Sequence, residues 1–141
     1  MRLGSLLQPG DVIGLSGDLG AGKTTLVQGI AQGWGSLDAV SSPTFVLVNQ
    51  YRRPDGQVLY HLDSYRLGSV EEAIDLDLDI MMDNGALVVE WAELIKPALP
   101  KDTLWIQLRW VADERRNMVF TPTGERYEKI MAEFRHQVFG G

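Results

Sequence analysis

The chain has 141 residues, a formal net charge of −6, no cysteine and two histidines. We expect one domain over residues 1–141, and the composition excludes disulfides, thiolate nucleophiles and Cys-based metal sites and argues against a His-based one. The negative charge argues against extensive contact with a nucleic-acid backbone. No apolar stretch approaches the roughly 20 residues that cross a bilayer, and no signal-peptide pattern is found, so we expect a cytoplasmic protein that makes no membrane contact.

A short apolar strand is predicted over Asp11 to Ser16, followed by a glycine-rich turn and a helix over Lys23 to Trp34. The turn matches G-x-x-x-x-G-K-T from Gly17 to Thr24, a pattern in which backbone N–H groups and a helix N-terminus surround phosphate oxygens. Lys23 is expected to reach the β and γ phosphates, and the Thr24 hydroxyl is expected to contact Mg²⁺. The predicted nucleotide-binding residues of this segment are Gly17, Asp18, Leu19, Gly20, Ala21, Gly22, Lys23, Thr24 and Thr25.

The next segment, Val40 to Phe45, is predicted to be a loop because Pro43 excludes a continuing helix. Ser42 and Thr44 lie where P-loop proteins keep a segment that senses the γ phosphate, and simple loop capping is an equally good interpretation. Alternating apolar and polar residues on both sides of "RPDG" then predict a β-hairpin that pairs Phe45–Tyr51 with Gln57–Asp63.

The remaining elements alternate between helices and strands. Ser69 and Glu72 form a capping box before one or two short helices, which Asn84-Gly85 should end. A buried strand is predicted over Ala86 to Glu90, then a Pro-broken loop over residues 96–102, strands over 103–111 and 117–123, and a final helix over 125–139. The order predicts a P-loop-like three-layer α/β/α fold whose mixed sheet contains a β-hairpin.

Two carboxylates are candidates for the chemistry, because each follows a predicted strand whose end would lie beside the P-loop. Asp63 ends the second hairpin strand, and its alternative role is to cap the following turn. Glu90 ends the next strand, and its alternative is a solvent-facing strand end. His61 alternates with Asp63 on the strand, although a buried, hydrogen-bonded imidazole is the better interpretation of it. Trp91 fits the core better than a base-stacking role.

Several nucleotide-binding classes are excluded by absent motifs. Asp63 is followed by Ser-Tyr-Arg, so the GTPase D-x-x-G is missing, and no [NT]-K-x-D guanine-reading motif occurs. A small kinase and a compact regulatory ATPase remain.

The segments "GDLGAGKTTLVQGIAQGWG", "VSSPTF", "HLDSYRL", "EEAIDLDLD" and "VVEWAE", in this order, closely resemble the TsaE (YjeE) family over the chain from Pro9 to about Tyr127. The resemblance implies an ATPase of tRNA threonylcarbamoyladenosine (t6A) biosynthesis that uses ATP and Mg²⁺ and acts with TsaB and TsaD. These proteins modify adenosine 37 of tRNAs reading ANN codons, and ATP hydrolysis resets their assembly between turnovers.

Carried over by position, the resemblance implies that Thr24 and Glu90 bind Mg²⁺ and that Asp63 is the catalytic carboxylate, acting with Lys23 on the γ phosphate. Trp91 completes the family's Glu-Trp pair, and the loop from Ser42 to Phe45 is implied to report the γ phosphate to a partner. The chain departs from the family at its N-terminus, where a further strand and a Thr near the adenine are usual. Two alternatives to the ATPase stay open: a small-molecule kinase, and a binding module that ATP gates without hydrolysis.

Overall fold

The computed structural model describes residues 2–17, 23–37, 48–67, 69–112 and 115–139. The strands are β1 (Val12–Gly17), β2 (Val48–Arg52), β3 (Val58–Asp63), β4 (Gly85–Glu90), β5 (Leu104–Ala112) and β6 (Arg115–Pro122). The helices are α1 (Arg2–Leu6), α2 (Lys23–Trp34), α3 (Val70–Asp75), α4 (Leu78–Asn84) and α5 (Glu125–Phe139), with 3₁₀ segments at Ser64–Arg66 and Ala92–Ala98.

The six strands form a mixed sheet in the order β2-β3-β4-β1-β5-β6. The central strands β3, β4, β1 and β5 are parallel, and the outer strands β2 and β6 each pair antiparallel with their neighbour. The mixed sheet with its β2–β3 hairpin, predicted from the alternation around "RPDG", is therefore confirmed. Residues 45–47 of the predicted hairpin lie outside the described part of the chain.

Two apolar clusters cover the two faces of the sheet. On one face, Ile13 and Leu15 of β1 pack with buried residues of α1, α2 and α5. On the other face, Val12 of β1 packs with buried residues of α3, α4 and the segment Ala92–Ala98. This division follows from the alternation of side chains along a strand and gives the three predicted layers.

The helices follow their sequence signals closely. The bounds of α2 and α5 agree with the predicted ones, and the amphipathic spacing of Leu26, Ile30 and Trp34 buries all three residues. Two short helices occur between Val70 and Asn84, and the Ser69 hydroxyl accepts a hydrogen bond from the Glu72 N–H, as its capping signal predicts. The acidic residues of this stretch are exposed: Glu71, Glu72, Asp75, Asp77, Asp79 and Asp83.

Two local predictions need correction, and the sequence pattern did not predict helix α1. The predicted loop over 96–102 begins inside the 3₁₀ segment Ala92–Ala98. Gly85 follows α4 as expected, but its φ of 175° is ordinary extended backbone rather than a left-handed cap. A side chain is excluded there because a Cβ would lie 1.7 Å from the Val58 carbonyl oxygen on β3.

Within the described residues, no helix is both long and apolar enough to span a membrane.

Candidate nucleotide-binding site

The strands that carry the predicted site residues end at one edge of the sheet, here called the carboxyl edge. β1 ends at Gly17, and the parallel strands β4 and β3 end beside it at Glu90 and Asp63. Asp63 and Glu90 are register partners, and Leu15 of β1 is the register partner of Glu90 on the other side. The two carboxylates and the start of the P-loop therefore lie on three neighbouring strands, as expected if all three ran in parallel.

The two carboxylates share the sheet face on which α2 lies. Leu59 of β3 and Val88 of β4 belong to the cluster that packs with α2, and Asp63 and Glu90 lie an even number of residues further along the same strands. Side chains that are two residues apart on a strand point to the same face. Asp63 and Glu90 are thus on the side of the helix that follows the P-loop.

Gly17 shows why the P-loop pattern begins with glycine. Its φ is +127°, in the region that side chains disfavour, and a Cβ would lie 2.0 Å from the Leu108 carbonyl oxygen on β5. The first position of the pattern therefore adopts a backbone conformation that suits glycine. The close approach is to the neighbouring strand, so Gly17 is required by the fold itself as well as by the loop it begins.

Helix α2 begins at Lys23, within the P-loop pattern, and the first N–H groups of any helix lack partners inside the helix and carry a positive partial charge. Thr25 is exposed in its first turn. Asp18, Leu19, Gly20, Ala21 and Gly22 lie outside the described residues, as do the side chains of Lys23 and Thr24. The predicted contacts of these residues with phosphate and Mg²⁺ therefore stay predictions.

Asp63 is half-buried, and one of its oxygens accepts a hydrogen bond of 3.1 Å from the Tyr65 N–H. The residue is the N-cap of the 3₁₀ segment Ser64–Arg66. The turn-capping interpretation of Asp63 is confirmed, and it holds the carboxylate at the strand end. Its catalytic role stays a prediction.

Glu90 is 7% exposed, so its predicted alternative as a solvent-facing strand end is wrong. Its Oε2 lies 2.5 Å from Nε2 of His61, which is fully buried on β3. Nδ1 of the same imidazole lies 2.8 Å from the hydroxyl oxygen of Tyr51 on β2. His61 is thus a buried, hydrogen-bonded histidine as predicted, and its partner is the candidate metal ligand.

Tyr51 was not singled out from the sequence. It is 3% exposed, lies opposite Leu59 in the hairpin register and reaches diagonally to His61. The available signal was the hairpin itself, because the turn at "RPDG" fixes which β2 side chains lie near His61.

Trp91 follows Glu90 in the left-handed region, with φ 57° and ψ 39°. This conformation costs a bulky residue about 1–2 kcal/mol. The half-buried indole packs against the exposed ring of Tyr65, with ring centroids 5.2 Å apart. The contact joins the turn after Asp63 to the residue after Glu90. A contact of Trp91 with the nucleotide stays a prediction, and Ser42 and Thr44 lie outside the described residues.

Comparison with known proteins identifies the family. Residues 1–118 match the family model described as threonylcarbamoyl adenosine biosynthesis protein TsaE. The chain is 44% identical over 131 residues to the tRNA threonylcarbamoyladenosine biosynthesis protein TsaE of Bacillus subtilis, covering 92% of this chain and 81% of that protein. The protein of the same name from Streptomyces coelicolor is 46% identical over 132 residues, covering 89% of each.

The fold is similar to a solved structure as well. The crystal structure of Bacillus subtilis YdiB superimposes with a TM-score of 0.76 at 38% identity, covering 96% of this chain and 85% of that one. The resemblance inferred from the P-loop, "HLDSYRL" and "VVEWAE" segments is confirmed by the family match, which extends over most of the chain. The chain belongs to the TsaE family, whose members take part in t6A biosynthesis.

Proposed function

We propose that this chain is a Mg²⁺-dependent ATPase that supports turnover of TsaB and TsaD in t6A formation. The observation that carries the proposal is the register pairing of Asp63 with Glu90 on β3 and β4, directly beside the strand that leads into the P-loop. A P-loop alone accounts for phosphate binding. Two carboxylates at the same edge supply what hydrolysis needs in addition: a metal ligand and a group that orients the attacking water.

The donor atoms at the carboxyl edge suit Mg²⁺. Mg²⁺ prefers oxygen ligands and is usually bound through one or two carboxylates, waters and substrate phosphates rather than by an all-protein cage. Glu90 and Thr24 are the proposed ligands. Bound with the nucleotide, the ion would neutralise charge on the β and γ phosphates.

The proposed roles of the chain's own residues follow from their positions. Asp63 orients the water or accepts its proton for in-line attack on the γ phosphorus, and Lys23 stabilises charge on the phosphate oxygens. The backbone N–H groups from Gly20 to Thr25 bind the remaining phosphate oxygens. Trp91 closes the site beside Glu90. Ser42 and Thr44, on the segment before β2, are proposed to respond to the γ phosphate.

The experiment is phosphate release from ATP by the purified chain, alone and with purified TsaB and TsaD, in Mg²⁺ and then in EDTA. We expect Mg²⁺-dependent release that the partners stimulate. Lys23→Ala should abolish it, and Lys129→Ala, which changes an exposed lysine of α5, should not. ATP binding without release in any mixture would contradict the ATPase and favour the ATP-gated binding module. Transfer of the γ phosphate to a metabolite instead of water would favour the kinase.

A further inference from the structure

A buried chain of hydrogen bonds runs from the outermost strand β2 to the carboxyl edge. The Tyr51 hydroxyl on β2 bonds to His61 on β3, and His61 bonds to Glu90 on β4. The three residues are 3%, 0% and 7% exposed. Side chains from three adjacent strands are therefore committed to one polar chain inside the sheet face that α2 covers.

The chemistry of the three side chains determines which atom donates and which accepts in each of these hydrogen bonds. The Glu90 carboxylate only accepts hydrogen bonds, so the His61 Nε2 carries the proton that is shared with Oε2. In the neutral imidazole Nδ1 is then an acceptor, and the Tyr51 hydroxyl donates to it. The tyrosine hydroxyl thus matches the tautomer that donates to Glu90 and holds the imidazole ring in that orientation.

Only one carboxylate oxygen of Glu90 takes part in the Tyr51–His61–Glu90 hydrogen bonds. Oε1 accepts no hydrogen bond from any described residue, whereas Oε2 is held by His61. A carboxylate that is fixed through one oxygen presents the other in a defined direction. Metal-binding carboxylates are commonly hydrogen-bonded in this way, and losing such a partner typically lowers metal affinity 10- to 100-fold.

We propose that Tyr51 and His61 are positioning residues that orient the Glu90 carboxylate for its contact with Mg²⁺. The inference rests on the proposed metal-dependent function, in which Glu90 is a ligand. It assigns a task to the histidine of the "HLD" segment and to a tyrosine 39 residues before Glu90 in the chain. Neither residue touches the nucleotide; both act through Glu90.

The test is the affinity of the protein–nucleotide complex for Mn²⁺, used as a paramagnetic substitute for Mg²⁺ and followed by electron paramagnetic resonance. Tyr51→Phe removes one hydroxyl oxygen and should weaken Mn²⁺ binding several-fold. His61→Leu removes the direct bond to Glu90 and should weaken it 10- to 100-fold. Nucleotide binding in EDTA should stay at the wild-type level, since the metal does not contribute there. The Mg²⁺ concentration that gives half-maximal phosphate release should rise in parallel.

Tyr60→Phe is the matched control. Tyr60 lies on the same strand as His61 but on the opposite face, where it packs against the cluster of α3 and α4. Its loss of a hydroxyl should leave Mn²⁺ affinity unchanged. If His61→Leu does not fold, Tyr51→Phe still carries the test, because it preserves the aromatic ring and the buried packing.

Three results would overturn the inference, and one further result separates it from the proposed ATPase activity. Folded Tyr51→Phe and His61→Leu proteins with wild-type Mn²⁺ affinity would show that these hydrogen bonds stabilise the fold and do not affect metal binding. Equal losses of nucleotide binding with and without metal would show a general disturbance of the site. Mn²⁺ binding by a wild-type protein that releases no phosphate would contradict the ATPase and leave the positioning role standing. Absence of Mn²⁺ binding by the wild-type complex would contradict both.

Discussion

The two edges of the sheet each hold a buried carboxylate, and the two are held in different ways. At the amino edge Asp11, before β1, accepts hydrogen bonds from Arg126 of α5 and from the Gln8 N–H, all between 2.7 and 3.2 Å. At the carboxyl edge Glu90 bonds to His61 through one oxygen. The Arg126 contact pairs Asp11 with a permanent cation and ties α5 to β1. Glu90 instead receives a hydrogen bond that orients it.

The buried acid at the amino edge is part of a hydrogen-bonded clamp, although a groove lies beside it. The amino edge also has an open groove of about 690 Å³ beside Asp11 and Arg126. The Arg126 side chain, however, already donates to both Asp11 oxygens and to the Leu6 carbonyl. Its hydrogen bonds to Asp11 raise the pKa of the guanidinium further above its usual value. We therefore interpret the amino edge as a clamp that stabilises the fold.

Asp11→Asn should give the largest loss of stability among the changes considered at the amino edge. The substitution leaves the Arg126 cation without its carboxylate, and we expect a loss of about 2 kcal/mol in the free energy of unfolding. This is below the value for fully buried pairs because the Arg126 side chain is 39% exposed. Urea denaturation measures the loss.

The matched control for Asp11→Asn is Asp55→Asn. It removes an exposed carboxylate that pairs with Arg53, at 2.8 Å, in the hairpin turn, and should change the urea midpoint little. Equal midpoint shifts for the two variants would contradict the interpretation of Asp11 as part of a clamp.

Tyr127 gives the amino edge a pH dependence. Its hydroxyl accepts a hydrogen bond from the Val12 N–H, and burial raises its pKa to about 12. The unfolded chain loses this proton near pH 10, so the stabilisation is fully present below pH 10 and is lost between pH 10 and about 12. Tyr127→Phe should cost about 1 kcal/mol at neutral pH, because the Val12 N–H loses its acceptor.

The measurement is the difference in unfolding free energy between wild type and Tyr127→Phe from pH 8 to pH 12. Groups common to both proteins cancel in this difference, which should stay constant to about pH 10 and shrink above it. A difference that stays constant through about pH 12 would mean that Tyr127 ionises as easily in the folded protein as in the unfolded one.

Ser69→Ala should have a smaller effect on stability than Asp11→Asn, and it tests whether the loss of a helix cap alone changes phosphate release. Ser69 is exposed and caps α3 through the Glu72 N–H, so its loss should cost between about 0.5 and 1 kcal/mol without changing phosphate release. Asp63 also caps a helical segment, and Ser69→Ala shows what loss of a cap alone does. A Ser69→Ala protein with strongly reduced phosphate release would mean that capping changes can mimic catalytic ones. Thermal unfolding and phosphate release on the same samples make the comparison.

The elements were predictable where the local pattern was strong. The strand before the P-loop, α2 and α5 each combine a clear period with an end signal, and their bounds agree with the structure to within one residue. Helix α1 has only five residues and was missed, since its stability comes from Leu3 and Leu7 packing under α2 and α5 rather than from its own sequence. The sequence pattern predicts that Gly85 is a helix cap. Its close approach to Val58 depends on the pairing of β3 with β4, which the local sequence does not show.

The sequence predicts those candidate site residues that lie at the ends of strands. Asp63 and Glu90 could be found from the sequence because each directly follows an apolar stretch, and parallel strands bring such ends together. The bond from His61 to Glu90 joins residues 29 positions apart and depends on the β3–β4 register, which no local pattern encodes. The same holds for the left-handed backbone at Trp91 and its contact with Tyr65.

The most direct test of the difference between the two edges is phosphate release by Asp63→Asn and Asp11→Asn, measured beside wild type with TsaB, TsaD and Mg²⁺. Asparagine at position 63 retains an oxygen that can cap the Ser64–Arg66 segment, so its fold should be preserved. We expect Asp63→Asn to lose at least about 100-fold in rate. We expect Asp11→Asn to keep the wild-type rate per folded molecule. An Asp63→Asn protein with the wild-type rate, or an equal loss in both variants, would contradict it.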